Sequence, residues 1–197
     1  MKIKFFSTEI YISFLFAAVI AFLLLTDRTG LIVPTLFAVM IHETGHLFAM
    51  WVMDCSPKSI RLIPASVQIV RSFSPRPHGE SAIALCGPLS NIVIFLTLWF
   101  NYLVFKNETV LEFAILNLVL GTFNLLPVKG LDGGTLLNNF LCKYTDDYHA
   151  DRTIRVLTLI IAACALSAGI YLAFKGKLNI SAFIVALYLA VTALIKK

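Results

Sequence analysis

Between Leu31 and Met53 runs an apolar stretch of the length that crosses a lipid bilayer, and in its middle stand His42, Glu43 and His46. Ionisable groups are costly in hydrocarbon and normally turn toward the protein interior. The segment is therefore constrained twice. It must be a helix, and that helix must turn one face toward other parts of the chain. Positions four apart lie one turn above each other, so both imidazoles project from the same face. His-Glu-x-x-His in that setting can bring two ring nitrogens to one Zn²⁺, and Glu43 can reach a water at the metal as general base. A lone histidine in an apolar helix is usually a core residue bonded to a carbonyl. Three ionisable residues within five positions are not accounted for in that way.

The remaining sequence has the same character. The 197 residues are 59% hydrophobic and 14% charged, with a mean hydropathy of +0.87, where a soluble domain is nearer half apolar and a quarter charged. This predicts an all-α polytopic membrane protein of about six transmembrane helices, with one domain over residues 1–197. The expected spans are 10–26, 31–53, 81–105, 110–126, 154–174 and 178–195. Lys2 and Lys4 ahead of the first run resemble a signal peptide, but no small-x-small site follows, so that span is expected to be retained. Within 59–71, Ile60–Ile63 and Val67–Arg71 are β-type runs around Pro64-Ala65-Ser66. They predict a small β-hairpin at the membrane surface. Ser74–Gly79 should end regular structure there. Thr135–Lys143 reads as a short helix, followed by a soluble stretch with Asp146, Asp147 and Asp151.

The net charge of +5 is no sign of nucleic-acid binding, because the basic residues flank the apolar runs. With the N-terminus cytoplasmic, twelve Lys and Arg fall on inside segments and four (Arg28, Lys106, Lys175, Lys177) outside. Both termini are then cytoplasmic, and the break at 127–134 emerges on the cytoplasmic side. Cys55, Cys86, Cys142 and Cys164 form no CxxC pair and predict no disulfide framework.

A catalytic zinc needs three protein ligands and one open position. His78 and His149 lie in loops, and Glu112 sits at the outer end of the fourth span. Asp132 is the better third ligand. It lies in Asn124-Leu125-Leu126-Pro127-Val128-Lys129-Gly130-Leu131-Asp132-Gly133-Gly134, where an apolar helix is broken by proline and glycine. Irregular backbone at membrane depth survives only where it is buried in protein or lines a wet cavity. An exposed Asp-Gly turn is the plainer reading of the same residues. Cys86-Gly87-Pro88-Leu89-Ser90-Asn91 is open in the same way. Gly-Pro can simply begin a helix, and Asn91 can bond a neighbouring helix, hold a substrate backbone or stabilise an oxyanion.

His42-Glu43-x-x-His46, Gly87-Pro88-x-x-Asn91 and Asn124-x-x-Pro127-x-x-x-x-Asp132-Gly133, in that order, resemble the site-2 protease family of intramembrane zinc metalloproteases. The similarity is greatest to the compact six-span branch that processes sporulation pro-sigma factors, and it covers nearly the whole chain. It implies one zinc ion held by His42, His46 and Asp132, with Glu43 activating water and Asn91 handling substrate. It also implies a bacterial plasma-membrane location and, as substrate, a transmembrane or membrane-associated segment of a regulatory protein. Neither a CBS nor a PDZ domain is expected within these residues. Water should reach the site from the cytoplasmic face near Asp132. An edge strand such as Val67–Arg71 could pair with an unwound substrate. A catalytically silent adaptor of the same fold would be expected to lose a ligand or Glu43. A metal-ion transporter would want ionisable residues on several spans.

Overall fold

The computed structural model describes residues 2–5, 8–55, 57–63, 66–71, 77–176 and 180–194. In chain order these form β1 (Lys2–Phe5), β2 (Thr8–Ile12), α1 (Phe14–Thr26), α2 (Ile32–Val52), β3 (Pro57–Ile63), β4 (Ser66–Arg71), α3 (Pro77–Phe105), α4 (Glu108–Asn124), α5 (Asp132–Leu141), α6 (Asp147–Phe174) and α7 (Ile180–Leu194). The expected turn at 64–65 and the outer ends of the sixth span fall outside the described residues, as do 74–76 of the break expected at 74–79; residues 77–79 are instead helical, because Pro77 is well tolerated in the first turn of α3. The chain divides into two compact units, Met1–Phe123 and Asn124–Lys197.

In the first unit, α2 begins at a turn closed by one carboxylate. Asp27 accepts the backbone N–H groups of Ile32 (3.0 Å), Thr29 (2.8 Å) and Gly30 (3.0 Å). These bonds, that of Ile32 first, hold its carboxyl below the ordinary 3.8. The turn places Gly30 at φ +72°, where a side chain would be strained. α2 and α3 then meet through small residues. Ala38, Gly45 and Ala49 are buried on one, Ala84 and Gly87 on the other. A Cβ on Gly45 would collide with the Cys86 carbonyl and the Ser90 hydroxyl, so the two backbones nearly touch. Ser90 Oγ also donates to the Ile41 carbonyl at 3.0 Å. Helices in lipid gain little from mutual apolar burial, and close approach with interhelical hydrogen bonds holds them instead. About one turn beyond His46, Ala49, Met50 and Ile83 form a buried apolar cluster.

The strands make one sheet in the order β1-β2-β3-β4. β3 and β4 pair antiparallel with Ile60 opposite Ile69, as the expected hairpin requires. β2 joins β3 in parallel, with Glu9 opposite Ser59 and Ile12 opposite Leu62. β1 folds back on β2, with Phe5 opposite Thr8. The hairpin is thus half of a larger sheet, and the apolar run at 10–26 is divided. Its first three residues finish β2, and the helix starts at Phe14. The cause is local: Thr-Glu-Ile-Tyr-Ile is rich in β-branched and aromatic residues, which favour strand.

Among the described residues, three helices are long and apolar enough to cross a membrane: Ile32–Val52, Gly79–Phe105 and Asp147–Phe174. α1, α4 and α7 are shorter, at 13, 17 and 15 residues.

In the second unit, α6 turns Ala150, Ile154, Thr158 and Ala162 inward at intervals of four. α7 buries Ala186, Leu189 and Ala193. α6 begins at Asp147, seven residues before the expected fifth span, so the stretch expected to be soluble is its first two turns. Acidic residues favour a helix N-terminus, and Asp151 is further held by Arg155 Nη2 at 2.5 Å and Lys129 Nζ at 2.7 Å. α5 begins at Asp132, three residues earlier than expected. Gly133 and Gly134 are required there, since a Cβ on either would strike the carbonyls of Leu125 or Val128 in the preceding turn.

Candidate metal centre

His42 and His46 are buried on α2, and their hydrogen-bond partners fix their tautomers. His46 Nδ1 lies 2.8 Å from the carbonyl oxygen of Ile83. A carbonyl only accepts, so Nδ1 carries the proton and Nε2 presents its lone pair. His42 Nδ1 lies 2.8 Å from Asn91 Oδ1. The identity of that atom follows from the other end of the amide, where Nδ2 donates to the Ala38 carbonyl at 3.0 Å. His42 is therefore also protonated at Nδ1 and presents a lone pair at Nε2. The two Nε2 atoms stand 3.1 Å apart.

Two lone pairs facing at that distance repel unless a cation lies against both. Two tetrahedral zinc ligands at ordinary Zn–N lengths sit about 3.3 Å apart, so the pair fits a shared zinc. Gly87 of α3 supplies the needed space: a Cβ there would strike the His46 ring and come within 3.0 Å of His42 Cε1. Gly87-Pro88 was open to reading as a helix start. It lies in the interior of α3, ten residues beyond Pro77.

Asn91 is completely buried. Its amide bonds His42, the Ala38 carbonyl and Asn117 Oδ1, the last at 3.0 Å. Asn117 of α4, also completely buried, was not singled out in the sequence. The signal was present, for Asn117 is an amide inside an apolar run, Ile115-Leu116-Asn117-Leu118-Val119. Glu43 follows His42 on α2 and is half-buried.

Glu112 lines an apolar recess with Val33, Pro34 and Phe37, near the start of α2. His149 is exposed on α6, 3.9 Å from Asp146. His78 falls in the first turn of α3.

In the second unit, Asp132 is half-buried in the first turn of α5, where the helix dipole favours a carboxylate. The segment leading to it is tied at both ends. Val128 and Leu131 are buried, and the Leu131 N–H donates to the Val128 carbonyl at 3.1 Å. Gly130, between them, takes φ +92°. The Lys129 N–H donates to Thr158 Oγ1 on α6 at 2.9 Å.

Residues 106–168, which include Asp132, match the model of peptidase family M50. Stage IV sporulation protein FB of Bacillus subtilis is 32% identical over 174 residues, covering 86% of this chain and 59% of that protein. The chain is thus similar to peptidase family M50 over that segment and to the sporulation protein over most of its length. A second relative, a zinc metalloprotease of Methanocaldococcus jannaschii, is 28% identical over 145 residues, 68% of this chain and 42% of that one. The chain therefore spans roughly two- to three-fifths of the length of these curated relatives. The solved site-2 protease from Methanocaldococcus jannaschii shares this chain's fold, with a TM-score of 0.70 at 24% identity, over 98% of this chain and 93% of that one.

Proposed function

We propose that this chain is an intramembrane zinc metalloprotease that hydrolyses peptide bonds in or near transmembrane segments of regulatory membrane proteins. The observation that carries the reading is the His42–His46 pair, with both Nδ1 atoms fixed on acceptors and the two Nε2 atoms 3.1 Å apart. The M50 relatives supply the reaction class. His42 and His46 would hold the zinc, with Asp132 as third ligand. Asp132 stands in the segment that matches the family, at a helix start that favours its charge. A bound zinc polarises the scissile carbonyl and brings the pKa of a coordinated water toward neutrality. Glu43, next to His42 on α2, would serve as general base toward the hydrolytic water and as general acid toward the leaving amine. Asn91 and the Ile83 carbonyl keep both imidazoles in the ligating tautomer throughout. The helices are read as six spans in a plasma membrane, with both termini cytoplasmic and the site opening to that side, in accord with the Lys and Arg bias.

Co-expression with a membrane substrate tests the assignment. Glu43→Gln should retain zinc and abolish cleavage. Asp132→Ala should lower zinc content and activity together. Normal cleavage by the Glu43→Gln protein would remove the proposed base, and full zinc in the Asp132→Ala protein would remove the third ligand.

A further inference from the structure

A chain of hydrogen bonds, all donated in one direction, runs away from His42. His42 Nδ1 donates to Asn91 Oδ1 (2.8 Å), Asn91 Nδ2 to Asn117 Oδ1 (3.0 Å), and Asn117 Nδ2 to the Phe113 carbonyl (2.9 Å). The direction is forced. Phe113 O can only accept, which turns the Asn117 amide nitrogen toward it and the amide oxygen toward Asn91. The second bond from Asn91 Nδ2, to Ala38 O, turns Asn91 Oδ1 toward His42. Three helices contribute, and Asn91 and Asn117 are each 0% exposed. Buried amides in an apolar setting must be satisfied, and bonds aligned in one direction strengthen each other.

We propose that Asn117 is a positioning residue for the metal centre. It acts through Asn91 to hold His42 in its Nδ1–H tautomer and to make Nε2 a stronger ligand. The inference rests on the zinc reading above. Partners of this kind on metal-bound histidines change metal affinity by roughly 10- to 100-fold when removed. The described side-chain hydrogen bonds of Asn117 go to Asn91 and to the Phe113 carbonyl. Its effect must therefore pass through one amide, and it vanishes when that amide is gone.

A double-mutant cycle on the full chain in detergent tests this, with zinc affinity read by chelator competition. Asn117→Ala and Asn91→Ala should each weaken zinc by roughly tenfold or more. The double variant should be no weaker than Asn91→Ala alone. Asn117→Asp should stay close to wild type. In an apolar site the acid remains protonated, its carbonyl facing Asn91 and its O–H facing Phe113. The ¹⁵N spectrum of labelled histidine in zinc-free protein gives a second readout. The wild type should show His42 as the Nδ1–H tautomer, and Asn117→Ala should show a mixture. Equal losses from Asn117→Ala with and without Asn91 would overturn the proposal, as would Asn117→Asp losing as much zinc as Asn117→Ala. An unchanged tautomer in both alanine variants would do the same. The spectrum needs no metal. A wild-type chain that bound no zinc would therefore sink the proposed function, and the tautomer claim would still be decided.

Discussion

At Gly87 the smallest possible substitution has a large expected effect. One added methyl group would strike the His46 ring and crowd His42. Gly87→Ala should cost roughly 1–3 kcal/mol as overpacking, and most of the bound zinc should be lost because the Nε2 atoms must separate. Metal analysis beside a melting curve checks both, and full zinc occupancy would show that α3 can yield. At this scale much of the site was legible. His42, Glu43 and His46 announce themselves by interrupting an apolar run at helical spacing. Asn91 could be noticed but not understood, because its meaning depends on Asn117, 26 residues away on another helix. Asn117 interrupts its own run just as plainly, but no spacing rule links an amide on one helix to an amide on the next.

Among the elements, the segment before α5 shows which contacts matter most. Two side chains of α6 hold Lys129: Thr158 accepts its backbone N–H, and Asp151 pairs with its ammonium group. Thr158 is completely buried, whereas the Asp151 side chain is 42% exposed. Thr158→Val keeps the shape but leaves a buried N–H without its acceptor, at about 1–3 kcal/mol. Asp151→Ala breaks a partly solvated ion pair, at about 0–1 kcal/mol. Hydrogen exchange at 126–131 should therefore accelerate more in the valine variant; the reverse order would mean that charge, not the backbone bond, fixes the segment. Element boundaries were the least legible part of the sequence here. Glycines and acids suggested loop at 132–134 and 147–151, yet both stretches are helix. Gly133 and Gly134 are needed for close approach, and Asp147 sits where a helix dipole welcomes it.

For the molecule as a whole, the parallel pairing of β2 with β3 decides how many times the chain crosses the bilayer between them. Paired strands lie on one side of the membrane, so the crossings from Ile12 to Pro57 are even in number. α2 has the length and composition to cross, so the proposed topology requires α1 to cross as well. At 13 residues it covers only ~20 Å, which the bilayer accommodates by local thinning. An alkaline phosphatase fusion within 27–31 should be active outside, and a fusion within 106–107 likewise. A fluorescent protein at the C-terminus should fold inside. Phosphatase activity from fusions near 57 instead would reverse the orientation. The sequence made the apolar runs and their charge bias visible, whereas the sheet had to be read from partners 50 residues apart. That separation also sets a schedule for biogenesis. Thr8–Ile12 leaves the ribosome about 2.5–10 s before its partners in β3, and in the proposed topology the nascent chain completes a full round trip through the lipid before the strand's open edge is capped.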